Sequence, residues 1–354
     1  MQTICVLFGG VSPEHDVSLC SAEAVLRNMK KENRRIIPVG ITKEGKWICF
    51  GGSDFKEIAE NKWEQNPNNR PAFLSPVRGM GLCIMNADGT VSTEPIDLVF
   101  PVLHGENGED GSIQGLFQIA GLKFAGCGVC AAATSMDKSV TKLIAATTGV
   151  RQAKWLTLTR SKFNADAQKM CDKIMAEIEF PLFIKPCSTG SSVGVSKVKD
   201  AQQLMTALET AFRFDRKVLA EEFINGREVE VAVLGNEEPV AATAGEIDAG
   251  AEFYDYDTKY ITSTSRPYIP ARISEETNAK VRAFAVKIFK ALGCAGLSRV
   301  DFFVNRETEE IVFNEINTLP GFTSISMYPK MWAADGLAFP ELIDRVIDLA
   351  LEEQ

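Results

Sequence analysis

Residues 296–326 read GLSRVDFFVNRETEEIVFNEINTLPGFTSIS, and the fold is decided there. Two apolar runs, VDFFV (300–304) and EIVFNEI (310–316), flank the charged turn NRETEE, the pattern of an antiparallel hairpin. Polar residues interrupt the runs at Arg299, Asp301, Glu315 and Asn317, at even separations from Asp301. With the turn centred near residue 308, Asp301 lies opposite Glu315 and Arg299 opposite Asn317. Side chains alternate along a strand, so all four then share one face, and a one-residue slip on one arm breaks the arrangement.

Oxygen ligands on neighbouring strands suit Mg²⁺, which completes its shell from water and phosphate. An arginine on the same face suits a phosphoryl group or a developing oxyanion. The alternative is an exposed sheet face with ordinary cross-strand ion pairs. Spacing alone favours that alternative; the rest of the chain reverses the preference.

The chain has 354 residues, 45% hydrophobic and 24% charged, which bounds it as globular with two or three domains. A net charge of −9 argues against nucleic acid as the main ligand, so an anionic substrate needs local cations and metal. No stretch approaches the roughly 20 apolar residues of a membrane helix, and MQTICVLFGG lacks the basic region of a signal peptide. Nine cysteines without an export signal imply reduced thiols and a cytoplasmic protein. Cys127 and Cys130 form a C-x-x-C pair, but with no second pair and two histidines in all, a structural role is expected.

The N-terminal third reads as an open α/β unit. ICVLF (4–8) is a buried-strand pattern ending in a Gly9-Gly10 tight turn, followed by a helix over about 18–31 and strands at 36–41 and 97–103. The polar loops leaving such strands carry ligands, which places Glu14 and His104 as candidates. Each also has a plainer reading, a solvated loop charge and a turn histidine.

A second unit begins at Met136-Asp137-Lys138. Asp137 caps a helix whose apolar face is Val140, Leu143, Ile144 and Thr147. Lys138 sits at the helix start, unfavourable for a cation unless an anion binds there. FPLFIKPCSTGSSVGVSKV (180–198) reads as two antiparallel strands around a small-residue flap whose N–H groups can approach phosphate. An ordinary hairpin loop fits equally well. Asp200 with Gln203 starts a helix with Leu204, Ala207, Leu208, Ala211 and Phe212 on one face. Glu221 and Glu228 flank the turn after the strand KVLAEEF, as solvated charges or at the edge of a nucleotide groove.

Residues 246–270 have little periodicity and many Tyr, Asp and Thr residues, the mark of a functional lid with Lys259 and Tyr260 near its tip. A strong helix follows from Ser274 to Leu292, closed by Gly293, and FPELIDRVIDLAL makes an amphipathic helix near the end.

The order of parts, HGENGEDGSIQG, MDK, IKPCSTGSSVGVSKV, YDYDTKY, SRVDFF and NEINTLPGFTS, resembles the D-alanine–D-alanine ligases of the ATP-grasp superfamily, from Gly9 to the end of the chain. The resemblance implies a three-domain α/β (α+β) fold: an open N-terminal domain (1–127) and two antiparallel-sheet units (128–221 and 222–354) clamping ATP. Asp301, Glu315 and Asn317 match ligands for two Mg²⁺ ions, with Mn²⁺ a possible substitute. Arg299 matches the arginine on the transferred phosphoryl group. Lys138, Lys185 and the flap residue Ser192 match phosphate contacts, and Lys259 the lid lysine. Glu221, Ile224 and Glu228 match contacts to adenine and ribose. Glu14 matches the acceptor of the first substrate's ammonium. Ser191 and Tyr260 match its hydrogen-bonded latch. His104, Gly321, Ser326 and Met327 line the amino-acid subsites.

The implied reaction is ATP-dependent joining of two D-alanines for peptidoglycan precursor synthesis, in a homodimer binding only small molecules. The alternatives are D-alanine–D-serine and D-alanine–D-lactate ligases. Val193, Met327 and Tyr260 stand where the resistance-type relatives differ, and favour D-alanine. Glu222 replaces a lysine of some relatives, which puts only the adenine-edge contact in question. Cys187 is an unusual flap residue.

Overall fold

The computed structural model describes residues 1–248, 266–323 and 325–352. Three sheets carry the architecture. The first is built from β1 (Gln2–Gly9), β2 (Arg34–Ile41), β3 (Trp47–Cys49), β4 (Arg70–Leu74), β5 (Leu82–Met85), β6 (Val91–Glu94) and β7 (Leu98–Leu103). Its order is β6-β5-β4-β3-β2-β1-β7. β1 is parallel to both neighbours, so its apolar run is covered on both faces and every residue after Gln2 is buried. The expected strand–loop–helix repetition holds only for β1, β2 and β7; residues 47–94 form an antiparallel meander instead. The crossover helix between β1 and β2 is His15–Asn28, beginning three residues before the expected start, with Glu14 at its N-cap.

The second sheet contains β8 (Trp155–Thr159), β9 (Leu182–Pro186), β10 (Ser196–Val198) and β11 (Lys217–Glu222), ordered β10-β9-β11-β8 and antiparallel throughout. The flap spans β9 to β10 as the sequence predicts. The expected Leu204–Phe212 face is buried beneath this sheet, and Asp200 caps its helix through the Gln202 and Gln203 N–H groups.

The third sheet comprises β12 (Gly226–Gly235), β13 (Val240–Ala241), β14 (Gly245–Asp248), β15 (Arg266–Tyr268), β16 (Gly296–Asn305) and β17 (Ile311–Asn317). The ends of the stretch that lacks periodicity are thus strands, β14 and β15, paired antiparallel. The helix Glu275–Ala291 covers one face, capped by Ser274, with Gly293 at positive φ just beyond it.

The helix Lys138–Ala146 is capped by Asp137 as expected, but it buries a different face. Ser139, Thr141, Lys142 and Ala145 are inside, and Leu143 is 63% exposed. From that face Lys142 reaches Glu221 of the second sheet, while Ser139 and Thr141 bond to Asp137 and to the Thr134 and Ser135 carbonyls. Ala131, Ala145 and Val150 join the core of the third sheet. A further core brings Ile4, Val6 and Phe8 of β1 against Leu342, Ile343, Val346 and Ile347 of the C-terminal helix Phe339–Leu351. This packing brings the loops after β1 and β7 beside the segment after β17.

Candidate active site

The hairpin β16–β17 has the expected register where it matters: Arg299 faces Asn317 and Asp301 faces Glu315. A β-bulge between Asp301 and Phe302 shifts the pairing by one residue toward the turn, so Phe302 pairs with Phe313. The bulge lets aromatic side chains fill the opposite face while the four polar groups stay together. Arg299 makes a two-point ion pair with Asp301 (2.8 and 2.7 Å) and lies 3.3 Å from Glu230 of β12. Asn317 donates to Asp301 Oδ2 at 3.0 Å. Burial alone would lower the Arg299 pKa, but Asp301 and Glu230 hold it well above its ordinary value, so it stays a cation.

The opposing wall is the second sheet. Glu221 is 3% exposed, which rules out the solvated alternative, and forms ion pairs with Lys142 and with Lys185 (2.5 Å). Burial would raise its pKa; the two ammonium groups overcome that and hold it at about 2. Lys185 also feels Glu315 and Glu228, carboxylates of the third sheet, so the two sheets face each other across one field. Lys138, at the first position of its helix, donates to the Thr189 carbonyl of the flap at 2.7 Å. Ile224 is half-buried in the turn joining β11 to β12, between Glu221 and Glu228 in sequence. Glu222 accepts from the Lys154 N–H at 2.9 Å and so turns toward the edge strand. Cys187 is buried, and that burial pushes its thiol up to about 12, which makes it a packing residue.

The N-terminal loops complete the enclosure. Ser191 of the flap donates its hydroxyl to Glu14, and a Cβ at Gly190 would meet the Glu14 carboxylate at 2.7 Å. Ser191 and Ser192 hold positive φ (47° and 59°), a strained conformation that aims the flap at this loop. His104 is buried, with Nδ1 donating to the Leu319 carbonyl at 3.0 Å and Nε2 3.3 Å from Ser21 Oγ. Both ring nitrogens are therefore engaged inside the protein. Burial lowers its pKa and keeps the imidazole neutral.

Ser326 lies at the N-cap of the helix Met327–Ala334, its Oγ 2.7 Å from Thr323 Oγ1 and 3.1 Å from the Thr323 N–H. Gly321 adjoins it; a Cβ there would stand 3.0 Å from Ser326 Oγ. Met327 follows Ser326 as the first residue of that helix. It is buried in the core with Met331 and Tyr328, its Cε against Gly245. Lys259 and Tyr260 lie outside the described residues.

Sequence reasoning missed Lys142, Glu230 and Glu109 as members of the site. Lys142 follows Lys138 by one helical turn and Glu230 follows Glu228 by one strand period, and those spacings were the available signals. Cys127 is buried against the Ala295 carbonyl and Cys130 is exposed, so the C-x-x-C pair is not a joint site. Among the described residues no three His, Cys, Asp or Glu side chains group closely enough to hold a metal; the donor set at the floor is two carboxylates and an amide.

Two family models divide the sequence between them. D-ala D-ala ligase N-terminus matches residues 3–127, and D-ala D-ala ligase C-terminus matches residues 144–348. The chain belongs to the D-alanine–D-alanine ligase family. The D-alanine–D-alanine ligase of Acetivibrio thermocellus is 48% identical over 361 residues, covering 99% of this chain and 96% of that protein. Among solved structures, the VanG D-Ala:D-Ser ligase from Enterococcus faecalis matches with a TM-score of 0.90 at 42% identity, over 99% of each chain. The D-alanine–D-alanine ligase from Coxiella burnetii matches with a TM-score of 0.84 at 32% identity, over 99% of this chain and 94% of that one. The fold is accordingly the ATP-grasp fold of these D-alanine–D-alanine ligases.

Proposed function

We propose that this protein joins two D-alanine molecules into D-alanyl-D-alanine at the expense of ATP, supplying a peptidoglycan precursor. The observation that carries the reading is the register that gathers Arg299, Asp301, Glu315 and Asn317 on one face opposite Lys185. Membership of the ligase family supports it.

A carboxylate is a poor acyl donor, so ATP first converts that of one D-alanine into an acyl phosphate, releasing ADP. The neutral amine of the second D-alanine then attacks that carbonyl, and the tetrahedral adduct expels phosphate. Glu14, held by Ser191, receives the first substrate's ammonium. Arg299 neutralises charge on the transferred phosphoryl group and on the tetrahedral oxyanion. Lys138, Lys185 and the flap with Ser192 take the nucleotide phosphates, while Glu221, Ile224 and Glu228 take adenine and ribose. Ser326 and Gly321 receive the second substrate's carboxylate at a helix N-terminus, where an anion is favoured. His104 braces that segment through the Leu319 carbonyl. Lys259 and Tyr260 belong to the lid that excludes water from the acyl phosphate.

The all-oxygen donor set of Asp301, Glu315 and Asn317 fits Mg²⁺, with Mn²⁺ as a substitute. When bound, such ions screen the repulsion between phosphate oxygens and the incoming carboxylate. Lys185 is a transferable charge. It pairs with Glu221, and a bound phosphate offers it a second anion while Lys142 stays with the carboxylate.

We assign the three domains to residues 1–127, 128–221 and 222–354, following the three sheets. We also place the protein in the cytoplasm; no helix of the described residues is long and apolar enough to cross a membrane. A homodimer suits the exposed Phe73, Met85 and Val91 on one side of the β4–β6 meander, and sedimentation at working concentration tests it.

The deciding experiment is ADP release with Mg·ATP and D-alanine, with the dipeptide identified by mass. No D-alanine-dependent turnover would sink the reading. The relative VanG, a D-Ala:D-Ser ligase, makes D-serine the competing second substrate. D-lactate is the third arm of the same assay, and preference for either over D-alanine would reassign the enzyme.

A further inference from the structure

The loop His104-Gly-Glu-Asn-Gly-Glu-Asp-Gly111 contains an acidic residue that the reaction above leaves unused. Glu109 spreads its carboxylate between two distant backbones. Oε2 accepts from the Gly105 N–H at 2.8 Å, within its own loop, and Oε1 accepts from the Leu319 N–H at 3.1 Å, across 210 residues of sequence. The Leu319 carbonyl in turn accepts from His104 Nδ1 at 3.0 Å. Both polar groups of Leu319 are thus gripped by one loop of the N-terminal unit.

The two ends of this clip are supported differently. Gly105 is also held through its carbonyl, which accepts from the Gly108 and Glu109 N–H groups at 3.1 and 2.9 Å, and the loop is braced by the Gln114 side chain on the Gly108 carbonyl at 2.7 Å. The Leu319 side is held upstream, where Asn317 ends β17, and at its own carbonyl by His104; downstream it runs into Pro320, Gly321 and the contact between Thr323 and Ser326. Proline at 320 has no N–H to contribute a further tie. Removing Glu109 takes away the acceptor of the Leu319 N–H and so loosens the backbone that leads to Gly321.

We propose that Glu109 is a positioning residue for the second amino-acid subsite: its carboxylate fixes the Leu319 backbone and so sets where Gly321, Ser326 and the helix N-terminus meet the second substrate's carboxylate. The claim rests on the ligase reading above, and it makes Glu109 act through backbone geometry without touching substrate. Reach is the operative property. A glutamate spans from Gly105 to Leu319; an aspartate carries the same carboxyl group on a stem one methylene shorter and cannot hold both N–H groups from the same loop.

The test compares Glu109→Ala, Glu109→Gln and Glu109→Asp with the wild type, measuring separate KM values for the two D-alanines, kcat and amide hydrogen exchange at Leu319. The expected result for Glu109→Ala is a KM for the second D-alanine raised about tenfold, the scale of a buried N–H left without its acceptor. The KM for the first D-alanine stays within about twofold, and the Leu319 amide exchanges faster. Glu109→Gln, which keeps one acceptor oxygen, falls between wild type and alanine, and it gives the answer if the alanine variant does not fold. Glu109→Asp resembles alanine.

Equal changes in both KM values, or no change in either, would overturn the proposal. So would an aspartate variant with wild-type behaviour, since that would mean an effect of charge near Glu14 and Arg299. Hydrogen exchange is independent of turnover. Unchanged Leu319 exchange in the alanine or glutamine variant defeats the clip itself, whereas a wild type inert toward D-alanine defeats only the ligase reading.

Discussion

Arg299 and Asp301, two residues apart on one strand, form a two-point ion pair at 2.8 and 2.7 Å with Asn317 donating to the same carboxylate. Alternation along β16 puts both on the same face, and the fork of the guanidinium matches the carboxylate plane. The guanidinium proposed to meet the transferred phosphoryl group is therefore oriented by Asp301. Replacing Arg299 or Glu315 by alanine is expected to lower kcat by roughly 10²-fold or more, the scale for losing one preorganised electrostatic group. Steady-state ADP release checks this. Near-wild-type turnover in either variant removes that residue from the mechanism.

The flap contact sets a second expectation. Ser191 donates to Glu14 from a residue at positive φ, so the serine orients the carboxylate without replacing its charge. Glu14→Gln should raise the KM for the first D-alanine by more than about tenfold, as expected for removing a charged partner of an ammonium, and Ser191→Ala by only a few-fold. The KM for the second substrate should move less in both. A serine variant more impaired than the glutamine variant would show that the hydroxyl has a role other than holding Glu14.

Glu221 gives a pH-dependent stability with a defined sign. Its folded pKa is held at about 2 by Lys142 and Lys185 against the opposing effect of burial. The unfolded value is about 4.3. The stabilisation is therefore fully present above that value and is lost as pH falls from about 4.3 toward 2. Glu221→Gln leaves two ammonium groups beside an amide in a dry site, and should cost about 3 kcal/mol at neutral pH. The stability gap between wild type and variant should then narrow with acid over the same window. Urea melts at several pH values measure it, and a gap that stays constant from pH 7 to 3 contradicts the assignment.

Met327 offers a prediction of the opposite kind. It is buried with Tyr328 and Met331, its terminal methyl against Gly245. Met327→Ala should destabilise the fold by about 2–3 kcal/mol, as core methionine truncations do, and leave the choice among D-alanine, D-serine and D-lactate unchanged. A switch of second substrate without loss of stability would return Met327 to the subsite.

Local chemistry was legible in the sequence wherever one element sufficed. The β16–β17 hairpin is closed by a short turn, and the strand period of two then fixes which of its residues share a face. Arg299, Asp301, Glu315 and Asn317 followed from spacing, and so did the caps at Asp137 and Asp200. The bulge after Asp301 was not legible, because it answers to the packing of Phe302 on Phe313 beneath the sheet. The antiparallel meander of residues 47–94 was equally hidden, since short strands with one exposed face carry a weak period.

The sequence by itself determined the family, the hairpin and the polar groups on its face, because each depends on motif order or on contacts within one element. Tertiary structure alone decided that Glu221 is an enclosed partner of Lys142 and Lys185, that Met327 is core, and that Glu109 grips Leu319. Each of those outcomes joins segments far apart in the chain. Burial and distance across such a gap are set by how the sheets pack, and residue spacing carries no record of that packing.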